Sequence, residues 1–93
     1  MVKIKAHIVL YKNGRETPFY SGYRPLFNFI EEMKVSGQIN LIDRERFCPG
    51  EKGEVEILFL NADYLGSDFD IGKTFLFGEG AVPLGDGVVK EIL

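Results

Sequence analysis

The chain has one cysteine, one histidine and no tryptophan among its 93 residues. The single Cys48 excludes an internal disulfide and a metal site built from several cysteines, and an unpaired thiol favours a reducing compartment. No apolar run approaches the roughly 18 residues of a membrane span, and charges interrupt residues 1–7, where a signal peptide requires an apolar core. We therefore expect a soluble, cytoplasmic protein without a membrane partner.

A basic excess is also absent. The 11 basic and 14 acidic residues give a formal net charge of −3, whereas free-standing nucleic-acid-binding proteins usually carry a positive face. The hydrophobic fraction of 45%, with eight Phe and four Tyr, is sufficient for a packed core and excludes a disordered chain. The length predicts a single domain over residues 1–93.

Convincing amphipathic helices are missing, and short strands recur instead. In the first segment, alternate positions from Val2 to Leu10 are apolar, which is typical of a strand with one buried face. The segment 31–34 could begin a helix, but Ser36 and Gly37 stop it within two turns. The pattern predicts an antiparallel all-β barrel or sandwich, with strands at residues 2–12, 26–30, 35–41, 54–60, 73–77 and 85–93.

The segment 15–25 is a dense loop signature between the first two predicted strands. Its two prolines restrict φ, and Gly22 permits a positive φ. Aromatic side chains accompanied by arginine are the composition of protein-interface hot spots. The same side chains could instead cover one end of the sheet, so structural and partner-binding interpretations both remain open for Phe19, Tyr20, Tyr23 and Arg24.

Four motifs follow one another along the chain with small insertions between them. They are TPFYSGYRPLFNF at 17–29, VSGQINL at 35–41, PGE at 49–51 before an apolar strand, and residues 72–93, which contain Glu79-Gly80 and end in GDGVVKEIL. In order and spacing they resemble the third, C-terminal domain of elongation factor Tu over essentially the whole chain. The resemblance implies a single six-stranded antiparallel β-barrel.

In that family a GTPase domain and a second barrel precede this domain, whereas this chain starts at the third domain and has no phosphate-binding loop. The resemblance therefore implies a stand-alone domain without GTP hydrolysis, nucleotide or cofactor. The family's domain contacts the T-stem of aminoacyl-tRNA, packs on the GTPase domain and takes part in binding the nucleotide-exchange factor. The tRNA-side positions that carry over are Ser36, Glu79 and Gly80.

Several basic or polar positions of the family are changed in this chain. Phosphate contacts supply most nucleic-acid affinity, so the loss of three arginines and one histidine disfavours binding of aminoacyl-tRNA. The replacing residues are Ile30, Gly78 and Val82 for arginine, Glu16 for histidine, and Leu26 for glutamine.

Other motifs carry little chemistry. Residues 71–74 are similar to the end of a P-loop, but Ser67 stands where its first glycine is required, and Asp68 and Asp70 would repel phosphates. The glycines at 78–87 do not form the dinucleotide-binding pattern. The acidic residues at 63–70 do not have the arrangement of a calcium-binding loop.

No catalytic constellation can be identified, so we expect no enzyme activity and no metal site. His7 is interpreted as a surface residue, and Cys48 as a small, buried apolar one. The prediction is a non-catalytic protein-binding module whose partner-facing residues are Phe19, Tyr20, Tyr23 and Arg24. The alternative is an RNA-binding module that contacts aminoacyl-tRNA through Ser36, Glu79 and Gly80.

Overall fold

The computed structural model describes all 93 residues, and it contains seven strands and no helix. All strand pairs are antiparallel, in one curled sheet with the order β3-β2-β6-β7-β1-β5-β4, which forms a half-barrel. No helix has the length and apolar character needed to cross a bilayer. The strands are β1 (Val2–Leu10), β2 (Leu26–Ile30), β3 (Met33–Ser36), β4 (Gln38–Leu41), β5 (Lys52–Phe59), β6 (Thr74–Gly78) and β7 (Gly85–Ile92).

The all-β prediction is therefore confirmed, whereas the closed six-stranded barrel stays a prediction. The expected strand at 26–30 coincides with β2, and the other expected strands overlap observed ones. The segment 35–41, expected as one strand, is divided at Gly37 into β3 and β4. These two strands lie at opposite ends of the strand order although one residue separates them.

At this division two phenylalanine rings of the core lie against the backbone of Gly37 and leave no room for a side chain. A Cβ atom there would come within 2.6 Å of the Phe59 ring and 2.9 Å of the Phe27 ring. The Gly37 amide donates a hydrogen bond of 3.3 Å to the carbonyl of Pro25. Glycine thus allows the chain to pass over the core and leave β2 for β5.

Alternation in β1 generates one side of the core. Ile4, Ala6, Ile8 and Leu10 are fully buried, and the intervening side chains lie on the outer face beside β5. On that face the Lys3 ammonium lies 3.2 Å from Glu56. The strand thus has the buried face and the polar face that its sequence predicts.

Phenylalanine dominates the rest of the core. Because no buried polar or charged residue accompanies the buried apolar ones, packing and not a polar network fixes the interior. Several ring pairs meet edge to face, including Phe27 and Phe59 with centroids 5.1 Å apart. The buried phenylalanines, seven of the eight in the sequence, are Phe19, Phe27, Phe29, Phe47, Phe59, Phe75 and Phe77.

Candidate functional site

The loop between β1 and β2 is fixed at two points, one on the segment between β4 and β5 and one on β4. Phe19 and Phe47 exchange backbone hydrogen bonds of 3.0 and 2.9 Å. Nearer to β2, the amide of Ile39 donates to the carbonyl of Tyr23 at 2.8 Å, and the amide of Gly22 donates to the carbonyl of Ile39 at 2.9 Å. Gly22 has a φ of 99°, which glycine adopts at little cost. These backbone contacts hold the loop in a defined conformation.

Phe19 lies beneath this loop and not on its surface. Only 1% of the residue is exposed, and its ring stacks on Phe47 with centroids 5.3 Å apart. The Tyr23 ring also stacks on Phe19, with centroids 4.6 Å apart. The structure therefore places Phe19 as the support of Tyr23, out of reach of a partner.

Arg15, Tyr23 and Glu79 form a compact group that we call the loop cluster. The Tyr23 hydroxyl donates a hydrogen bond to Oε2 of Glu79, and Nη1 of Arg15 lies 2.5 Å from the same oxygen. The Arg15 guanidinium also lies over the Tyr23 ring, 4.8 Å from its centroid, a favourable cation–π arrangement. The loop cluster thereby joins the β1–β2 loop to the turn that follows β6.

Burial raises the pKa of the Tyr23 hydroxyl above its ordinary value, and the hydrogen bond to Glu79 raises this pKa further. Both effects favour the neutral phenol, because ionisation would place a second negative charge beside the Glu79 carboxylate. Tyr23 is therefore a hydrogen-bond donor over the neutral pH range. The loop cluster is suited to holding the loop and not to proton transfer.

Tyr20 and Arg24 are the exposed members of the predicted partner-binding set. Tyr20 is 57% exposed, and Arg24 is exposed at the start of the path into β2. Nη2 of Arg24 donates to Oε1 of Gln38 at 3.0 Å. Neither side chain is buried in the core, so both are available to a partner.

The predicted tRNA-side residues divide between two places. Glu79 belongs to the loop cluster, whereas Ser36 lies on β3 opposite Leu26. Lys34 connects the two places, since its ammonium donates to the carbonyl of Gly80 at 2.7 Å. The sequence did not single out Lys34 or Arg15, because their contacts span 46 and 64 residues and leave no local pattern.

A groove of about 230 Å³ lies between β3 and the C-terminal end of β5 with the turn that follows it. Two cationic, two hydroxyl-bearing and several apolar side chains line it. We refer to it as the β3–β5 groove, and its side walls are formed by Arg24, Lys34, Ser36, Leu58, Leu60 and Tyr64.

A smaller cavity of about 100 Å³ lies on the other side of Lys34, over Gly78. Leu26 and Leu76, which are 37% and 42% exposed, contribute to its lining. A Cβ at Gly78 would come within 3.0 Å of the carbonyl oxygen of Val82. The close approach of this turn explains why glycine occupies the end of β6.

The remaining motifs occupy places that fit a structural role. The Lys73 ammonium donates to Asp68 at 2.7 Å, and this hydrogen bond holds the pKa of the Asp68 carboxyl below its usual range. His7 lies 3.7 Å from Glu54 on the outer face of β1 and β5. Cys48 is partly buried, and its backbone amide donates to Glu51. No group of three or more His, Cys, Asp or Glu side chains is arranged to hold a metal ion.

No model of a known protein family matches this sequence. The site is therefore described by its own contacts: a loop held by backbone hydrogen bonds, an internally paired loop cluster, and a groove with two cations beside it.

Proposed function

We propose that these 93 residues form a non-catalytic protein-binding module similar to the third domain of elongation factor Tu. The partner-facing surface consists of the β1–β2 loop at Tyr20 and Arg24 together with the turn at Glu79 and Gly80. The observation that carries the proposal is the loop itself, which exposes an aromatic ring and a guanidinium while its backbone is hydrogen-bonded to the sheet.

Rigid loops favour binding because little conformational freedom is lost when a partner docks. Here the stack of Phe19 and Tyr23, with centroids 4.6 Å apart, holds the loop from below. The ion pair between Arg15 and Glu79 holds it from the side. Exposed tyrosine and arginine on such a support have the composition of interface hot spots.

The finer fold assignment belongs to this proposal. We propose that β3 and β4 act as one strand bent at Gly37, which joins the two ends of the sheet into a six-stranded barrel of the kind that the resemblance implies and leaves the outer edge of β3 unpaired. The direct succession of β3 and β4 in sequence supports it, as does the hydrogen bond from Gly37 to Pro25. Closure at this point would place the β1–β2 loop across the junction between the two ends of the sheet.

We propose that the domain is not catalytic, because its potentially reactive side chains are already engaged in structural contacts. Lys73, the only lysine in a P-loop-like context, is engaged with Asp68. Tyr23 is held neutral by burial and by Glu79, so it does not supply an activated oxygen. Both side chains have structural partners that account for their orientation.

Partner capture with loop variants tests this function. The protein is immobilised, and proteins captured from cell extract are quantified by mass spectrometry. Tyr20→Ala and Arg24→Ala should each remove a common set of captured proteins, because hot-spot side chains dominate binding energy. Ile71→Ala, which changes a residue that is 62% exposed in another loop, is the matched control. Identical capture by all variants contradicts the proposal.

The second candidate is an RNA-binding module that contacts aminoacyl-tRNA. One observation favours it: Arg24, Lys34 and Ser36 line the same groove, and Lys34 contacts Gly80. With two phosphate contacts, the affinity should fall with a log–log salt slope of about −2. Titration of aminoacyl-tRNA over a range of salt concentrations checks this, and an absent or salt-independent signal excludes the candidate.

A further inference from the structure

The β3–β5 groove combines positive charge with apolar surface. Arg24 and Lys34 both line it, and so does Ser36, which carries a hydroxyl. This local charge is opposite in sign to the net charge of −3. A ligand that fits the groove should therefore carry negative charge.

Both cations are held in place by neutral acceptors. Arg24 donates to the Gln38 side-chain oxygen at 3.0 Å, and Lys34 donates to the Gly80 carbonyl at 2.7 Å. Neither takes part in any of the ion pairs of the structure. The side chains are thus oriented without being neutralised, and each retains donors for an anionic group.

The opposite wall is apolar and accessible. Leu60 is 59% exposed and Tyr64 is 40% exposed, and both lie in the turn that follows β5. Together with Leu58 they face the groove. Its volume of about 230 Å³ suits a few side chains and not a large cofactor, since ligand pockets typically measure about 300–1,000 Å³.

The backbone beside the groove also favours an extended ligand. β3 is a terminal strand with a hydrogen-bonded neighbour, β2, on one side only. Extended peptides bind to such edges by adding a strand, and alternate side chains then supply specificity. Lys34 and Ser36 belong to this strand, so the cationic wall and the strand edge coincide.

We propose that the β3–β5 groove docks an extended protein segment in which an aspartate or glutamate lies two residues from an aliphatic residue, so that both side chains point to the same face. The carboxylate lies between Arg24 and Lys34, and the aliphatic side chain packs on Leu60 and Tyr64. The proposal rests on the protein-binding function and adds the chemistry of the partner. It is favoured over RNA because only two cations are present, whereas RNA affinity depends mainly on phosphate contacts.

The test uses a fluorescein-labelled peptide of about eight residues, a usual length for a β-strand. Aspartate and leucine take turns at every second position, with serine between them, so that both point to the same face. Two further peptides replace all aspartates by asparagine or all leucines by serine. Binding is followed by fluorescence anisotropy and by amide shifts in NMR spectra of the protein. The first peptide should bind saturably, with the largest shifts at Ser36 and Asn61, and both altered peptides should bind more weakly.

The charge variants sharpen this test. Arg24→Gln and Lys34→Gln should each weaken binding by about three- to fivefold, and the double variant by about tenfold or more. The matched control is the double variant Lys12→Gln/Lys90→Gln, which removes two exposed lysines outside the groove. It changes the net charge equally, so an effect of equal size would show that general electrostatics, and not the groove, causes binding.

Three other outcomes overturn the proposal. If a polyuridine RNA competes with the peptide and binds more tightly, the groove is a nucleic-acid site. If the peptide does not bind while capture of partners still depends on Tyr20, the docking chemistry is wrong and the protein-binding function stands. If neither peptide binding nor Tyr20-dependent capture is observed, both proposals fail.

Discussion

Tyr23 and Arg24 are adjacent in sequence, yet they belong to two regions whose charges are satisfied differently. In the loop cluster, Tyr23 and Arg15 both contact one carboxylate oxygen of Glu79, so donors and acceptor are matched within the chain. In the β3–β5 groove, Arg24 and Lys34 contact only neutral oxygens. Side chains whose charges are paired within the chain stabilise the fold. Oriented cations without an anionic partner instead favour the binding of an external anion.

The same difference extends to packing. The Tyr23 ring rests on Phe19, whose exposure is 1%, so the loop cluster is continuous with the core. The groove instead is bordered by exposed side chains such as Leu60. We therefore expect substitutions in or under the loop cluster to change stability, and substitutions in the groove to change binding.

The largest expected effect on stability is that of Phe19→Ala. Removing a fully buried aromatic ring costs about 3–5 kcal/mol, because transfer energy is lost and a cavity remains. The stacks of Phe19 with Phe47 and Tyr23 would be lost together. The free energy of unfolding, measured in urea, checks this value.

The neighbouring Tyr20→Ala is the control for that experiment. Tyr20 is 57% exposed, and such surface substitutions usually change stability by less than about 0.5 kcal/mol. If both variants lose the same free energy of unfolding, Phe19 does not support the loop in a way that distinguishes it from the exposed Tyr20.

Gly37→Ala is expected to have the next largest effect. The new Cβ would overlap the Phe59 ring at 2.6 Å and the Phe27 ring at 2.9 Å, and overpacking of a core typically costs about 1–3 kcal/mol. Because Ser36 precedes this bend and Arg24 precedes Pro25, whose carbonyl accepts a hydrogen bond from the Gly37 amide, the shape of the groove should change as well. Thermal unfolding and the amide shifts of β3 measure the two effects.

Gly80→Ala provides the comparison, because a Cβ there would meet no atom within 4 Å and its φ is not positive. Its stability should be nearly that of the wild type. If both glycine variants are equally stable, Gly37 is not the steric determinant of the bend.

Glu79→Gln tests the loop cluster through the ionisation of Tyr23. Without the carboxylate, the pKa of Tyr23 should fall towards the ordinary tyrosine value, although burial keeps it above that value. NMR of labelled tyrosine rings during an alkaline titration follows this change. Asp86→Asn is the matched control, since it should lower the pKa of Tyr11, which Asp86 raises by a hydrogen bond, and leave Tyr23 unchanged.

The sign of the pH dependence follows from the direction of the shift. A pKa that is higher in the folded state means that the folded protein retains the Tyr23 proton above about pH 10, where unfolded tyrosine loses it. The stabilisation is thus complete below about pH 10 and is lost as the pH rises further. In Glu79→Gln the free energy of unfolding should fall less steeply above this pH. If the pH dependence is unchanged, Glu79 is not its cause.

Alternation and turn residues made much of the fold predictable. In β1 the side chains point alternately to core and solvent, so a period of two identifies the strand and its buried positions. Gly37 shows where this reasoning fails. The segment 35–41 is apolar at the right positions for one strand, but the rings of Phe27 and Phe59, distant in sequence, make the chain bend there.

The candidate site was predictable only in part, for a related reason. Tyr20 and Arg24 lie in a conspicuous loop, so composition alone identified them. Arg15 and Lys34 acquire their roles from contacts with Glu79 and Gly80, 64 and 46 residues away. Long-range pairing of this kind depends on the register of β2 with β3 and β6, which a local pattern does not contain.

The smallest expected effect on stability is that of the double variant Arg24→Gln/Lys34→Gln. Both side chains are exposed and neither forms an ion pair, so the free energy of unfolding should change by less than about 0.5 kcal/mol. Arg15→Gln, which breaks the pair with Glu79, is the comparison and should cost more, although a partly exposed pair contributes only about 0.2–1 kcal/mol. If removing the groove cations destabilises the protein more than Arg15→Gln does, the cations serve the fold, and the contrast between the two regions is wrong.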